Sequence, residues 1–73
     1  MPFDYSKLSG RIVAKYGTQL NFANAVGLSE RSVSLKLNSK IGWKQSEIIK
    51  TCNLLDIAVA EIPDYFFTDK VQY

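Results

Sequence analysis

A glycine set between two short helical patterns constrains this sequence more than any other feature. Before it, Ala23 is a small residue at which two short helices can meet at a steep angle, and Gly27 itself favours the positive φ of a tight turn. Beyond it, apolar side chains are spaced to plug the turn and to anchor a second helix from below: Leu28, Val33 and Leu37. The spacing predicts a helix-turn-helix motif at about residues 18–38.

Helix-capping residues and glycines divide the rest of the chain into further short helices. Residues that favour helix N-caps precede three predicted helices: Asp4, Thr18 and Ser29. The first helix is expected to end at Gly17, and a fourth to span about residues 44–55. A fifth element is predicted at about residues 59–65, followed by a short C-terminal tail at residues 66–73. We therefore predict an all-α fold of four to five short helices in a single domain, residues 1–73.

Apolar side chains recur at helical spacing and define the predicted core. Its expected members are Leu8, Ile12, Phe22, Ala23, Val26, Leu28, Val33, Leu37, Ile48, Cys52 and Leu55. Ile49 is also expected on the inner face of the fourth helix, and Trp43 is expected to close the core over that helix rather than stack on a partner. Because Tyr65, Phe66 and Phe67 are consecutive, they cannot all face inward on one helix, and at least one should lie at an interface.

Charge is unevenly distributed along the chain, which carries a net charge of +2 over 73 residues. Residues 1–44 hold seven Lys and Arg against two acids, which gives +5, and residues 45–73 hold two against five, which gives −3. In the first helix the basic residues form one stripe: Lys7, Arg11 and Lys15. The asymmetry is consistent with a face that binds a polyanion, and equally with two solvated faces of opposite charge.

The sequence offers little for catalysis, metal binding or membrane insertion. It has no His and one Cys, so the common metal sites, acid–base relays and intrachain disulfides are missing. Cys52 lies among apolar residues at helical spacing and is interpreted as a core residue. No apolar run is long enough to span a membrane, and residues 1–4 do not resemble a signal peptide. We expect no enzymatic activity, no cofactor, no metal, no small-molecule substrate and a cytoplasmic location.

Short motifs along the chain resemble those of phage regulators. Residues 18–40 contain Thr18-Gln19, Phe22-Ala23, Val26-Gly27-Leu28-Ser29, Val33-Ser34 and Leu37-Asn38. At this spacing they resemble the Cro and repressor helix-turn-helix family of temperate phages, over about residues 5–60. Three segments resemble very small phage proteins from Gram-positive hosts: Phe3–Leu8, Ser34–Asn38 and Ile62–Phe67. The whole chain is similar to the modulator-of-repression type of antirepressor in lactococcal phages. This implies a role in the lysis–lysogeny decision, opposing or cooperating with the phage repressor in the host cytoplasm.

The Cro and repressor resemblance implies a contact surface around the third helix, because in that family this helix enters the major groove of DNA. By position, Gln19 and Ser29 would hold phosphates. Four residues would face base edges: Glu30, Arg31, Ser34 and Leu35. Arg31 is the best candidate base reader, since a guanidinium can form two hydrogen bonds with guanine. Three residues would lie beside the DNA backbone and contribute the salt-dependent part of the affinity: Asn38, Lys40 and Lys44.

Two of these residues depart from what a DNA reader needs. Leu35 follows Val33 by two positions, about 200° around a helix, so it points away from the core. An outward Leu is more typical of a protein contact. Glu30 would repel phosphates, although an acid in the first helical turn is also favoured by the helix dipole.

Two mechanisms remain open from the sequence. In one, a homodimer binds operator DNA through Arg31 and its neighbours, as the basic first half favours. In the other, an antirepressor binds the phage repressor through the Leu35 region and promotes the lytic cycle, as the resemblance to modulators of repression favours. Both could hold in a joint complex on DNA. An antitoxin role is a third interpretation, which usually requires a longer toxin-binding segment.

Overall fold

Within residues 3–69, five short α-helices make up the fold. The computed structural model describes residues 3–69, so residues 70–73 of the predicted tail lie outside the described residues. In chain order the elements are α1 (Ser6–Tyr16), α2 (Gln19–Val26), α3 (Glu30–Leu37), α4 (Gln45–Leu55), a 3₁₀ turn (Val59–Glu61) and α5 (Ile62–Phe66). Within residues 3–69 the sole strand-like pairing is an isolated antiparallel bridge between Phe3 and Asp69. The predicted all-α fold of four to five short helices is confirmed.

The boundaries of α2 and α3 are set by the residues that the sequence indicated. At the start of α2, the Thr18 hydroxyl accepts a hydrogen bond from the Asn21 N–H at 3.1 Å. At the start of α3, the Ser29 hydroxyl accepts one from the Ser32 N–H, also at 3.1 Å. Between the helices, Gly27 has a φ of 80°, a left-handed conformation that residues with a Cβ rarely adopt. The predicted caps and turn glycine are therefore confirmed.

The start of α1 corrects the prediction that Asp4 is its N-cap. The N-cap position is Tyr5, and Asp4 lies one residue earlier. The first helical hydrogen bond runs from the Ser9 N–H to the Tyr5 carbonyl oxygen at 2.8 Å, and the Asp4 N–H donates to the Thr68 carbonyl oxygen, also at 2.8 Å. The Asp4 carboxylate still accepts hydrogen bonds from the backbone N–H (2.8 Å) and the hydroxyl of Ser6, the first residue of α1.

One hydrophobic core receives side chains from all five helices. Its buried members are Tyr5, Leu8, Ile12, Phe22, Ala23, Val26, Val33, Cys52, Leu55, Ile57, Tyr65 and Phe66. Three residues predicted in the core are half-buried against it: Leu28, Leu37 and Ile48. The predicted core omitted four of the buried residues: Tyr5, Ile57, Tyr65 and Phe66. Phe67 is the exposed one of the three consecutive aromatic residues, at 51%.

The inner face of α4 differs from the prediction at Ile49, which is 53% exposed. The α4 residues that are buried are Thr51, Cys52 and Leu55. Ile49 precedes Thr51 by two positions, about 200° around the helix, and therefore points to solvent. The prediction was wrong because it placed apolar Ile49 on the inner face of α4, where Thr51 is buried instead.

The basic stripe of α1 contacts the C-terminal end of α4. The Arg11 guanidinium donates from Nε and Nη2 to the Leu55 carbonyl oxygen, at 3.0 and 2.9 Å. Lys15 Nζ lies 3.0 Å from Asp56 Oδ2. Cations at the C-terminus of a helix interact favourably with its unpaired carbonyls and its dipole, so the Arg11 contact favours the packing of α1 against α4.

Candidate functional site

Five of the predicted contact residues line one surface depression of about 400 Å³ where α2 meets α3. They are Gln19, Glu30, Arg31, Ser34 and Leu35. Glu30 and Arg31 are exposed, and the other three are half-buried. The structure therefore brings together residues from two helices that the sequence analysis assigned to different roles. We call this surface the α3 depression.

Leu35 is less exposed than the sequence predicts. Its place two residues after Val33 does turn it away from the core, because Val33 is fully buried and Leu35 is not. It is nevertheless half-buried, since the start of α2, with Gln19, borders the same depression. The α3 depression therefore combines an apolar side chain with the opposite charges of Glu30 and Arg31.

Ser29, predicted to hold a phosphate, is exposed but already acts as the cap of α3. Besides accepting from the Ser32 N–H, its hydroxyl lies 2.9 Å from the Ser32 hydroxyl. Ser29 does not line the α3 depression. Any ligand bound by Ser29 would have to share its hydroxyl with the cap.

The three residues predicted beside a DNA backbone lie on the connection between α3 and α4. Asn38 follows α3, and its side-chain amide donates to the Ser34 carbonyl oxygen at 2.9 Å. Lys40 is exposed in the loop, and Lys44 is exposed at the N-cap position of α4. None of the three lines the α3 depression, so the structure does not gather all nine predicted residues at one place.

The charge asymmetry of the sequence is reduced by contacts within the fold. Four of the seven cations in residues 1–44 contact groups of the second half of the chain. Arg11, Lys15 and Lys36 do so by hydrogen bonds or ion pairs, and Lys7 lies over the ring of Tyr65, 4.7 Å from its centroid. By contrast, the exposed side chains of Arg31 and Lys40 form neither a hydrogen bond nor an ion pair with residues 3–69. Two of the seven cations, Lys15 and Lys36, form ion pairs with acids of the second half, Asp56 and Glu47, whereas Arg11 binds a backbone carbonyl.

The pairing of Lys36 with Glu47 is the feature of this region that sequence reasoning missed. Lys36 Nζ lies 2.8 Å from Glu47 Oε1, and their side chains are 6% and 14% exposed. Burial alone raises the pKa of the Glu47 carboxyl, but the hydrogen bond from Lys36, the one from the Lys44 N–H and both ammonium charges lower it below its usual value. Lys36 follows the buried Val33 by three positions, which places it on the inner face of α3. This spacing was the indication in the sequence that Lys36 is buried.

A second concave surface, also missed from the sequence, lies beside the loop between α3 and α4. This aromatic groove has a volume of about 320 Å³. It is lined by Phe3, Tyr5, Ser39, Lys40, Ile41, Gly42, Trp43, Ile48, Phe66 and Phe67. Ile41 and Phe67 are its most exposed apolar side chains, at 42% and 51%. The consecutive aromatic residues after Pro63 were the sequence feature that pointed to such a surface.

Trp43 lines the aromatic groove and packs against other aromatic residues. Its ring meets Phe66 edge-on at a centroid distance of 5.3 Å and Tyr5 at 6.3 Å. It is half-buried against the core, which confirms that Trp43 packs on the core, and its ring contacts are with Tyr5 and Phe66. Its indole N–H is buried without a hydrogen-bond partner among residues 3–69.

The described residues show neither a reactive thiol nor a group of side chains that could bind a metal. Cys52 is buried, and burial raises the pKa of its thiol, which disfavours the reactive thiolate. Among residues 3–69, no group of His, Cys, Asp or Glu is arranged to hold a metal ion. In the same range, no helix has the length and apolar character to cross a membrane.

Known proteins resemble the chain over nearly its whole length. The solution structure of the modulator of repression (MOR) of the temperate bacteriophage TP901-1 from Lactococcus lactis is 56% identical. The match covers 99% of this chain and 97% of that one, with a TM-score of 0.80. No protein of curated function matches. The sequence-based resemblance to modulators of repression is confirmed.

The model of a protein family also matches residues 1–69 of the chain. With this span and the identity to the lactococcal phage protein, the chain belongs to the family described as "Protein of unknown function (DUF739)".

Proposed function

We propose that this protein is an antirepressor of a phage genetic switch. It binds the phage repressor through the α3 depression and promotes the lytic cycle in the host cytoplasm. The observation that carries the proposal is the combination of half-buried Leu35 with Glu30 and Arg31 on one concave surface. The 56% identity to a phage modulator of repression supports the same function.

The composition of the α3 depression suits a protein partner better than DNA. Leu35 supplies apolar area, and burying a Leu side chain fully is worth about 1.5–3 kcal/mol. Glu30 supplies a negative charge that a phosphate backbone would repel and that a basic surface would attract. A repressor carries such a basic surface where it binds DNA, so the antirepressor would compete with the operator for that surface.

The placement of the other cations supports this choice. Arg11, Lys15 and Lys36 already contact groups of the protein itself, which reduces what they add to the attraction of a polyanion. Long-range affinity for DNA depends on the number of phosphates that Lys and Arg neutralise. With these three cations already engaged, the protein gains less from this effect.

The alternative is a Cro-like homodimer that binds operator DNA directly. Exposed Arg31 and Lys40 favour it, because both are available to phosphates or bases. If it holds, Arg31→Ala should relax the sequence preference, whereas Lys40→Ala should weaken all sequences about equally.

Two titrations test the proposal. The purified repressor of the same phage is titrated into the protein by calorimetry, and the DNA of the switch region is tested by gel shift at low salt, with and without repressor. We expect a heat of binding with the repressor and release of the repressor from its operator as the protein is added. Binding to the DNA alone, with no heat from the repressor, would support the Cro-like alternative and contradict the antirepressor function.

A further inference from the structure

The loop that joins α3 to α4, residues 38–44, is held from inside by the buried Lys36–Glu47 ion pair. The Lys36 ammonium donates to the Gly42 carbonyl oxygen at 2.9 Å and lies 2.8 Å from Glu47 Oε1. It also lies 5.8 Å from the centroid of the Trp43 ring. The Lys36 ammonium therefore contacts Gly42 and Trp43 of the loop as well as Glu47 of α4.

The Glu47 carboxylate extends this set of contacts to the end of the loop. The oxygen that faces Lys36 also accepts a hydrogen bond from the Lys44 N–H at 2.8 Å. On the other side, the loop returns to α3, where the N–H groups of Lys40 and Ile41 donate to the Leu35 carbonyl oxygen at 2.9 and 3.4 Å. The conformation of residues 38–44 is thus defined from both helices.

A buried ion pair is an inefficient way to stabilise a fold. Removing two charges from water costs much of what their attraction returns, and apolar residues of similar size often serve stability as well or better. Unlike a pair of apolar residues, the ion pair can define the conformation of the loop. The Lys36 ammonium needs hydrogen-bond acceptors, and the Gly42 carbonyl of the loop is one of them. An apolar side chain at the same place would leave that carbonyl without a donor.

We infer that Lys36 and Glu47 are positioning residues: their buried ion pair fixes the conformation of residues 38–44, and with it the aromatic groove, more than it stabilises the fold. The loop contributes Lys40, Ile41 and Trp43 to the lining of that groove. A change in the loop therefore changes the shape of the groove without disturbing the helices. This inference is independent of the proposed partner, since it concerns the conformation of the free protein.

The test is the double variant Lys36→Met with Glu47→Gln. Methionine keeps most of the length of the lysine stem, and glutamine keeps an oxygen that can accept from the Lys44 N–H, so the α4 cap can form without either charge. The variant loses the donor to the Gly42 carbonyl. Thermal unfolding measures stability, hydrogen exchange measures the amides of residues 39–41, and fluorescence reports on Trp43, which is the single tryptophan of the chain.

We expect the variant to unfold cooperatively at a temperature close to that of the parent. Exchange of the loop amides should rise by more than about tenfold while exchange in α1 and α2 stays the same, because opening becomes local. The emission of Trp43 should shift as its surroundings change. The matched control is Lys15→Met with Asp56→Asn, which removes an exposed ion pair. It should change neither the exchange of the loop amides nor the emission of Trp43. A double variant that unfolds, or one whose loop amides exchange like those of the parent, overturns the inference.

Discussion

Arg11 in α1 donates two hydrogen bonds to the carbonyl oxygen of Leu55, the last residue of α4, at 3.0 and 2.9 Å. The side chain crosses from one helix to the end of another that lies far away in sequence. It therefore serves the packing of the helices, although its place in the basic stripe of α1 suggested a solvated face.

Replacing Arg11 should lower stability and leave the α3 depression intact. Arg11→Met keeps the apolar part of the stem but removes both donors, and we expect a loss of about 1 kcal/mol in the free energy of unfolding. Urea unfolding measures it. The control is Arg31→Ala, which removes an exposed cation that has no partner among residues 3–69 and should change stability by less than about 0.5 kcal/mol. Equal stability of the two variants would show that the Arg11 contact contributes nothing.

Overpacking at Ala23 should separate α2 from its neighbours. Ala23 is fully buried, so Ala23→Leu adds three carbons to a filled space and should cost about 1–3 kcal/mol. Ala14→Leu makes the same change at an exposed position of α1 and should have little effect. Circular dichroism and thermal unfolding compare the two. A stable Ala23→Leu variant would mean that α2 and α3 do not meet closely there.

Features that depend on neighbouring residues could be predicted from the sequence, and features that depend on distant ones could not. The Thr18 and Ser29 caps and the turn at Gly27 follow from contacts within a few residues, which a spacing pattern contains. The spacing from Val33 indicates that Lys36 lies on the inner face of α3, but no local pattern encodes the approach of its partner Glu47 across the loop. The α3 depression could be predicted in part, because helical geometry places residues of α3 on one face.

The aromatic groove shows the same limit. That three consecutive aromatic residues cannot all be buried is a local argument, and exposed Phe67 agrees with it. The ring of Phe67 meets Phe3 at a centroid distance of 5.8 Å, a contact between opposite ends of the described chain. Sequence spacing carries no information on such a pairing, so the groove could not be derived before the fold was known.

The stability of the protein should decrease in acid in part because of Glu47. Its folded pKa is lower than the usual value of 4.5, so the folded state binds this proton less readily than the unfolded state. The contribution to stability is complete above about pH 4.5 and is lost as the pH falls through the lower folded pKa. The Lys36→Met, Glu47→Gln double variant lacks this carboxylate, and its unfolding free energy should fall less steeply over the same range.

Urea unfolding at a series of pH values, from about pH 7 to pH 3, provides the comparison. Asp56→Asn is the control, because it removes an exposed carboxylate that pairs with Lys15 at the surface, and it should keep the steep acid dependence of the parent. Parallel curves for the parent and the double variant would exclude Glu47 as a source of the acid sensitivity.

Leu35 should contribute more to repressor binding than to stability. It is half-buried in the free protein, so Leu35→Ser should cost about 1 kcal/mol or less in the free energy of unfolding. A partner that covers the α3 depression would bury the remaining area, and we expect Leu35→Ser to weaken binding to the repressor by about tenfold. Calorimetric titration measures the affinity. Leu20→Ser removes an exposed Leu of α2 that does not line the depression, and it should bind as the parent does.

Reversing the charge of Glu30 should separate the two proposed mechanisms. Glu30 lies in the first turn of α3 on the rim of the depression. If it faces a basic surface of the repressor, Glu30→Lys replaces an attraction with a repulsion and should weaken that complex. The same change adds a cation beside Arg31, so it should strengthen any binding to DNA and make that binding more sensitive to salt.

The control for Glu30→Lys is Asp64→Lys, because Asp64 is an exposed acid in the first turn of α5. Both changes shift the net charge by +2, and both place a cation at a helix N-terminus, where the helix dipole disfavours it. Effects common to the two variants therefore come from total charge or from the dipole, and only the excess at Glu30 belongs to the α3 depression. Glu30→Lys and Asp64→Lys could bind the repressor equally well, while operator DNA binds more tightly to Glu30→Lys alone. In that case the repressor does not contact the α3 depression, and the Cro-like homodimer explains its charged residues better than the antirepressor does.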